Sequence, residues 1–396
     1  MRILYLTHNT TWKGGGAFFR AYHQGRLLVE RGHQVTMVCI SPDRRRGFTE
    51  QEAAGVRIIE SPDLLPGLAR SGWDLWDTFQ RILYLRRHDK YDLIHGLESR
   101  PAVALPALYM KRARGIPTIL DWADWYGRGG TASERSPSIR VWMEPLETFC
   151  EEVFHPLADG CVAMGEPLVE RAVSVGVPRD RILNLLHGCD PDGLQVIDVA
   201  EARSRLTALS SDDCVLGYLG VLRPNSARLL FDAFRLVREK VDGPCRLVLV
   251  GNHKLRLSDY LPADGTTDVV ETGWVSYEEL NLYLAASDIL LLPFVKTTAT
   301  NNIWPSKLND YVTVGRPVVG TKMDIMESTF RQHQIGVLTE DRAQAFSEGC
   351  LRLIADAPLR RQLGENARAL AEGELSWSRL VDRLEQFYYE LIDAVK

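Results

Sequence analysis

Residues 300–320 read TNNIWPSKLNDYVTVGRPVVG, and the fold turns on how that stretch is parsed. It follows an apolar run, Asp288–Phe294 (DILLLPF), which reads as a buried strand bounded by a proline. A loop of Asn and Thr comes next. Pro305-Ser306 then opens a helix on which Leu308, Tyr311 and Val312 recur at i, i+3 and i+4. Gly315 stops that helix, and Pro317-Val318-Val319 begins another strand. Strand, polar loop, helix N-terminus and strand in that order present backbone N–H groups where an anion fits. An ordinary βαβ unit of a parallel sheet gives the same pattern.

Working outward, the same alternation fills the chain. Arg2–Thr7, Gln34–Ile40, Val56–Glu60, Tyr91–His95 and Pro117–Asp121 read as strands. Helices are predicted over Ala17–Arg31, Trp73–Arg87 and Pro101–Arg114, the last with proline at its start and Gly115 at its end. Asp121–Pro137 (DWADWYGRGGTASERSP) breaks the rhythm. Rich in Trp, Gly and charge, it follows a strand's carboxyl end, the edge at which doubly wound sheets bind ligands. Ile139–Leu157 reads as a helix that Pro145 kinks or restarts. Gly160–Ala163 is a strand, Glu166–Gly176 a helix and Arg181–Leu186 a strand.

His187–Gly193 (HGCDPDG) is a Gly/Asp/Pro cluster between periodic regions and marks the domain boundary. Strands at Cys214–Leu219, Cys245–Gly251, Val269–Glu271 and Gly336–Leu338 follow, with helices at Ala227–Lys240 and Glu278–Ala286. Helices at 341–355, 357–372 and 377–395 close the chain. The fold class predicted is α/β, with two doubly wound, Rossmann-like parallel-sheet domains over 1–190 and 191–376 and a terminal helix over 377–396. Two such domains of similar size place a cleft between their carboxyl edges, a favoured place for a ligand.

Size and composition agree. A chain of 396 residues carries a prior of two or three domains. With 45% hydrophobic and 25% charged residues it falls outside the disordered and fibrous classes. A net charge of −5 argues against nucleic acid as the main partner. The seven cysteines form no CxxC pair, and Cys39, Cys161 and Cys214 sit in apolar runs as small hydrophobes. That points to a reducing compartment and away from a zinc knuckle. The apolar run in MRILYLTHNT is too short for a signal-peptide core, and no run approaches the ~20 residues that span a bilayer. A soluble, cytoplasmic protein is expected, with peripheral contact at the inner face of a membrane left open.

The order of these segments resembles the GT-B glycosyltransferases, and among them the retaining family 4 type (glycosyl transferases group 1) that uses nucleotide-sugar donors. The similarity runs through nearly the whole chain. Gly14–Val35 resembles the opening glycine-rich loop and helix, and Tyr91–Gly96 (YDLIHG) the strand that ends in a histidine. Leu183–Pro191 (LNLLHGCDP) resembles the hinge between domains, and Leu216–Asn252 the start of the second domain. Thr272–Phe294 resembles the base-binding loop, helix and strand, and Pro305–Val319 the helix and strand that carry the donor site. Ser376–Ile392 resembles the terminal helix that crosses back toward the first domain. Departures are equally specific. Where the family often carries two glutamates separated by seven residues, this chain has Asn302 and Asp310. Where an arginine and a lysine usually follow the first strand of the second domain, Gly220 is followed by Val221, and the lysine position falls near Ser226. Arg223, Arg228 or Lys307 supplies a cation from a shifted position.

The resemblance implies a role for each candidate, beside a plainer reading. Gly14, Gly15 and Gly16 bring backbone close to a phosphate or sugar, or form a tight turn. They are no dinucleotide fingerprint, because the third glycine of that motif falls at Phe19. Arg223 neutralises a diphosphate leaving group, or is a solvated loop arginine. Lys307 stands in the first helical turn, where the macrodipole disfavours a cation; an adjacent anion site or solvation accounts for it. Asp310, one turn on, accepts the ribose hydroxyls or pairs with Lys307. Asn302 bonds a hexose hydroxyl or shapes a turn. Gly220, Gly273, Trp274, Val275 and Ser306 complete the implied donor contacts. His95 ends a strand, as a catalytic group at the cleft or as a core histidine. Glu98, Asp121 and Asp124 contact the acceptor, or the paired carboxylates serve a hydrolase as acid and base. Trp122 and Trp125 suit a sugar or an apolar acceptor, or pack in the core. No metal site and no cofactor are expected.

The function expected is a retaining hexosyltransferase that moves a sugar from a nucleotide-diphosphate donor to an acceptor hydroxyl on a glycan, a lipid-linked molecule or a small molecule. The alternatives are a non-catalytic GT-B partner protein that binds nucleotide or sugar, and a nucleotide-sugar epimerase of the same fold.

Overall fold

The computed structural model describes residues 1–12, 16–42, 46–65, 70–88, 90–253, 255–261 and 267–395. The chain divides into two compact units. The first comprises Met1–His187, Asn302–Trp304 and Trp377–Lys396; the second comprises Gly188–Asn301 and Pro305–Ser376.

The first unit is built on β1 (Arg2–Thr10), β2 (Gln34–Ile40), β3 (Thr49–Ala53), β4 (Val56–Ser61), β5 (Leu93–Leu97), β6 (Thr118–Trp122), β7 (Gly160–Ala163) and β8 (Ile182–Asn184). These form one sheet in the order β3-β4-β2-β1-β5-β6-β7-β8, parallel except for the antiparallel edge strand β3. Side chains alternate across it, as the pleat demands. Ile3 and Tyr5 face a core made with the helix Gly16–Glu30 and the terminal helix Trp377–Val395, which contribute Phe18, Leu28, Leu384 and Tyr388. Leu4 and Leu6 face a second core. That core is made with the helices Leu75–Arg87, Pro101–Arg114 and Pro137–Leu157, through Leu85, Val103, Met110 and Phe154. Each fully buried side chain of this kind contributes ~1.5–3 kcal/mol.

The second unit carries β9 (Cys214–Leu219), β10 (Cys245–Val250), β11 (Val269–Gly273), β12 (Ile289–Leu292), β13 (Val318–Thr321) and β14 (Gly336–Thr339). Their order is β11-β10-β9-β12-β13-β14, all parallel. Leu247, Leu249 and Leu291 pack on one face against Phe231, Phe234 and Phe346. Val215, Val248 and Val250 pack on the other against Ala202, Leu282 and Ala285. Both sheets are doubly wound, as predicted, and each has a switch point where the order reverses: between β1 and β5, and between β9 and β12.

The structure departs from expectation in several elements. The helix Pro137–Leu157 runs unbroken through Pro145 rather than restarting. The helix after β7 ends at Ser174, short of Gly176. Strand β3 and the helices Val199–Ser204, Thr298–Asn301 and Asp324–His333 lie where no regular element was expected. All seven cysteines are free and at least half-buried. Among the described residues, no helix is long and apolar enough to cross a membrane.

Candidate active site

In the second unit the chemistry gathers at the β9/β12 switch point. The two strands pair only through Leu216 and Gly217, opposite Ile289 and Leu290, and then part. The hydroxyl of buried Tyr311 spans the opening, accepting the Leu219 N–H at 2.9 Å and donating to the Leu291 carbonyl at 3.2 Å. Three glycines turn the chain away from the carboxyl ends of β9, β10 and β11: Gly220, Gly251 and Gly273, with φ of 93°, 121° and 65°. A side chain in that region of φ is strained, and the Gly251 and Gly220 backbones lie in contact, with 3.4 Å between a Cβ on Gly251 and the Gly220 Cα. The glycines therefore let three loops converge.

Lys307 enters this crevice from the helix Lys307–Thr313. Its ammonium donates to the Tyr218 hydroxyl at 2.7 Å and lies 4.1 Å from the centre of the Tyr218 ring. Tyr218 in turn donates to the Val221 carbonyl at 3.0 Å, which locks its ring. A Cβ on Gly220 would lie 3.5 Å from the Lys307 nitrogen, so the lysine stands directly beside that glycine. Burial lowers the Lys307 pKa to about 7; Asp310 opposes the shift and the Arg223 charge adds to it. Burial raises Asp310 to about 7 against the attraction of Lys307. Both side chains are half-buried, and no ion pair within 4 Å joins them among the described residues. Two oppositely charged groups thus sit one helical turn apart, neither neutralised by contact with the other.

Arg223 is exposed at the head of the helix Pro224–Arg238, close enough for its charge to act on Lys307 and Tyr218. Arg228, further along that helix, is also exposed. Ser306 is exposed, in helical conformation, and makes no side-chain cap. Gly273 accepts the Gly251 N–H at 3.0 Å, Trp274 is 90% exposed, and Val275 packs against the core. His253, past Gly251, has its ring 6.1 Å from that of Tyr218, and both its ring nitrogens are without a partner among the described residues. Neither Tyr218 nor His253 was singled out from the sequence; an apolar strand hides the tyrosine, and a lone loop histidine carries no spacing signal.

The first unit places a different cluster near its own switch point. His95 and Asp121, expected as cleft residues, are enclosed: His95 is 0% and Asp121 1% exposed. Arg20 donates to Asp121 at 3.0 Å and to the carbonyls of Leu185 and Leu186 at 2.9 Å. The His95 Nε2 stands 3.7 Å from the same carboxylate, and its Nδ1 bonds the Tyr388 hydroxyl at 2.6 Å. Tyr388 continues to Tyr5 at 2.8 Å. The Arg20 guanidinium and His95 hold the Asp121 carboxyl below the usual carboxylate range although burial opposes them. Burial lowers the His95 pKa, with Asp121 opposing, so the imidazole is neutral near pH 7. This chain of buried polar groups ties β1, β5, β6 and the terminal helix together and does not open to a substrate.

Asp124 is half-buried, whereas Glu98, also expected to contact the acceptor, is enclosed at 2% exposure. Glu98 follows β5 with φ of 77°, a strained conformation for a non-glycine residue. Its carboxyl is pushed well up by burial and by the charges of Asp124 and Asp121. Asp124 accepts the Tyr126 hydroxyl at 3.1 Å, and Arg100 lies 4.6 Å from the centre of the Tyr126 ring. The loop is pinned from below, where Glu151 accepts the backbone N–H groups of Tyr126 and Gly127 at 2.6 and 3.0 Å. Trp122 is buried and stacks on His155 at 4.1 Å, while Trp125 carries Arg171 over its ring.

Of the remaining candidates, Gly16 opens the helix Gly16–Glu30 with clear space around it; Gly14 and Gly15 lie outside the described residues. Asn302 falls in the first unit's share of the chain, whereas Lys307 and Asp310 fall in the second's. No group of three or more His, Cys, Asp or Glu able to hold a metal occurs among the described residues.

Family models cover both halves of the chain. A glycosyl transferase 4-like domain matches residues 15–185, and a glycosyl transferases group 1 domain matches residues 213–356. With the two doubly wound units, these matches place the protein among the GT-B glycosyltransferases. Solved structures share its fold along their whole length. Sucrose-phosphate synthase from Thermosynechococcus elongatus aligns with a TM-score of 0.78 at 17% identity, covering 100% of each chain. Anabaena HepE in complex with UDP and glucose aligns at 0.70 and 15%, covering 98% of this chain and 100% of that one. The catalytic domain of starch synthase IV from Arabidopsis thaliana, bound to ADP and acarbose, aligns at 0.70 and 14%, covering 99% of each. No curated protein sequence matches the chain significantly.

Proposed function

We propose that this protein is a hexosyltransferase that moves a sugar from a nucleoside-diphosphate donor to an acceptor hydroxyl with retention at the anomeric carbon. The observation that carries the reading is the Lys307 ammonium, held between Tyr218 and Gly220 at the β9/β12 switch point with Asp310 one turn away. A half-buried cation not paired with the neighbouring carboxylate meets a diphosphate, and the half-buried carboxylate beside it accepts paired ribose hydroxyls. Similar structures bound to UDP and glucose or to ADP support a nucleotide-sugar donor.

In this reading Gly220 and Gly251 let the phosphates approach the backbone, Trp274 and Val275 flank the base, and Ser306 and His253 offer hydrogen bonds to phosphate or sugar. The bond between the anomeric carbon and the β-phosphate oxygen breaks, and its electron pair leaves with that oxygen. Lys307 and Arg223 stabilise the charge that grows there. The acceptor oxygen attaches to the same face of the sugar, and its proton passes to the departing phosphate. Asp124, with Tyr126, holds the acceptor hydroxyls, and Arg20, Asp121, His95 and Tyr388 hold the strands of the first sheet in register. No metal is assigned to the reaction.

The test is a panel of UDP-, GDP-, ADP- and dTDP-hexoses incubated with varied acceptors. One donor should yield nucleoside diphosphate together with a glycosylated acceptor. Binding without turnover would favour a partner protein, and a changed sugar on the nucleotide without acceptor would favour an epimerase.

A further inference from the structure

The first unit exposes an apolar face that neither of its cores uses. On the helix Pro137–Leu157, Trp142, Leu146, Phe149, Val153 and Leu157 recur at steps of three and four, forming one stripe along the helix. All five point outward: Trp142 is 74% exposed and Phe149 54%. The opposite side of the same helix is satisfied, with Cys150 and Phe154 in the core and Glu147 and Glu151 buried among polar partners. The helix Leu75–Arg87, on the same face of the sheet, repeats the arrangement with Leu75, Trp76 and Phe79 exposed. Between them lies the helix Pro101–Arg114, whose half-buried Leu105 and Leu108 pack against the core. Isolated exposed apolar residues need no explanation; apolar stripes on two helices of one face exceed what a monomer ordinarily shows to water.

Charge selects the occupant. The helices Leu75–Arg87 and Pro101–Arg114 end in exposed cations, Arg86 and Arg87 on one and Arg112 on the other, with exposed Lys90 close behind. None of these four carries an ion pair among the described residues, although the chain as a whole is acidic. Twofold pairing of this face with itself would bring the same unpaired cations toward their own copies, since such an interface sets like patch against like patch. Trp, Phe and Leu beside unpaired Arg and Lys is the pattern of surfaces that lie in the headgroup region of an anionic bilayer.

We propose that the outer face of the helices Leu75–Arg87, Pro101–Arg114 and Pro137–Leu157 docks the protein reversibly on an anionic lipid bilayer. It concerns the first unit alone and stands whether or not the second unit binds a nucleotide. Each exposed cation contributes about fivefold to partitioning near an anionic surface, and the aromatic side chains add the apolar part.

The test is co-sedimentation of the full chain with vesicles of equal parts phosphatidylglycerol and phosphatidylcholine, against vesicles of phosphatidylcholine alone. The protein should sediment with the anionic vesicles and be released as salt rises. The variant Trp142→Asp with Phe149→Asp should partition at least tenfold less while melting at an unchanged temperature, because both side chains are more than half exposed. Arg86→Glu with Arg112→Glu should lose the preference for anionic lipid, again with unaltered melting. Absence of sedimentation with either vesicle would overturn the proposal. So would a dimer in light scattering that Trp142→Asp with Phe149→Asp dissociates while vesicle partitioning is unchanged.

Discussion

Lys307 donates a 2.7 Å hydrogen bond to the Tyr218 hydroxyl while lying over the same ring. The tyrosine thereby holds the ammonium without discharging it, because a phenol is a neutral partner. Replacing Lys307 with Met keeps the length of the stem and removes the charge. Turnover should fall by roughly 10²–10³, the scale set by losing one donor to a developing anion. Steady-state kinetics check this, and unchanged turnover would remove Lys307 from the chemistry. Arg223→Ala should likewise lower transfer more than nucleotide binding.

The neighbouring Asp310 gives a pH dependence whose sign follows from both groups. Donor binding requires ionised Asp310 and protonated Lys307, each with a pKa near 7. Affinity should therefore be greatest near pH 7. It should fall on the acid side as Asp310 takes a proton and on the basic side as Lys307 loses one, with apparent values that belong to the pair. Calorimetry in buffers of differing ionisation enthalpy should show proton release below pH 7 and uptake above it.

Stability of the free protein tests the same carboxylate. Its folded pKa is raised to about 7, so the stability that protonated Asp310 contributes is fully present below about pH 4 and is lost as pH rises through 7. Asp310→Asn should then raise Tm at pH 8 by roughly 2–4 °C, the shift that about 1 kcal/mol produces in a domain of this size. At pH 4, below the folded pKa, it should leave Tm nearly unchanged. A fall at pH 8 would mean that the attraction of Lys307 outweighs burial.

In the first unit, Arg20→Met should destabilise by about 3–5 kcal/mol, because it strands the buried Asp121 carboxylate. Tyr388→Phe, which removes one hydroxyl from the chain linking His95 and Tyr5, should cost about 1–3 kcal/mol. Chemical denaturation measures both. His95→Gln should lower stability with little change in KM, as suits a positioning residue rather than one that touches substrate.

Both doubly wound sheets were legible because buried parallel strands read as apolar runs and their helices as 3.6-residue repeats. Strand β3 was not, since TEQEA is polar and lies at an exposed edge. Only the tight turn at Ala54-Gly55, with φ of 49° and 74°, hints at its hairpin. The helix Asp324–His333 escaped because only Ile325, Met326 and Phe330 face inward. Within the site, Lys307 stood out as a cation in the first turn of a helix, and Asp310 by the family resemblance of LNDYV. Tyr218, Tyr311 and Arg20 could not, because a strand or helix pattern does not reveal that a buried side chain bridges two loops. Arg20 carried one signal, a charge on the apolar face of its helix. His95 showed the converse error: a histidine at a strand end reads as a cleft residue until the terminal helix covers it.

The central claim is that the β9/β12 crevice binds a nucleoside-diphosphate sugar through Lys307 and Asp310. Calorimetric titration of the protein and of Asp310→Ala with UDP-, GDP-, ADP- and dTDP-sugars at pH 7 tests it most directly. One donor should bind the parent and bind Asp310→Ala at least tenfold more weakly. Absence of binding by all four, or equal affinity for parent and variant, would contradict it.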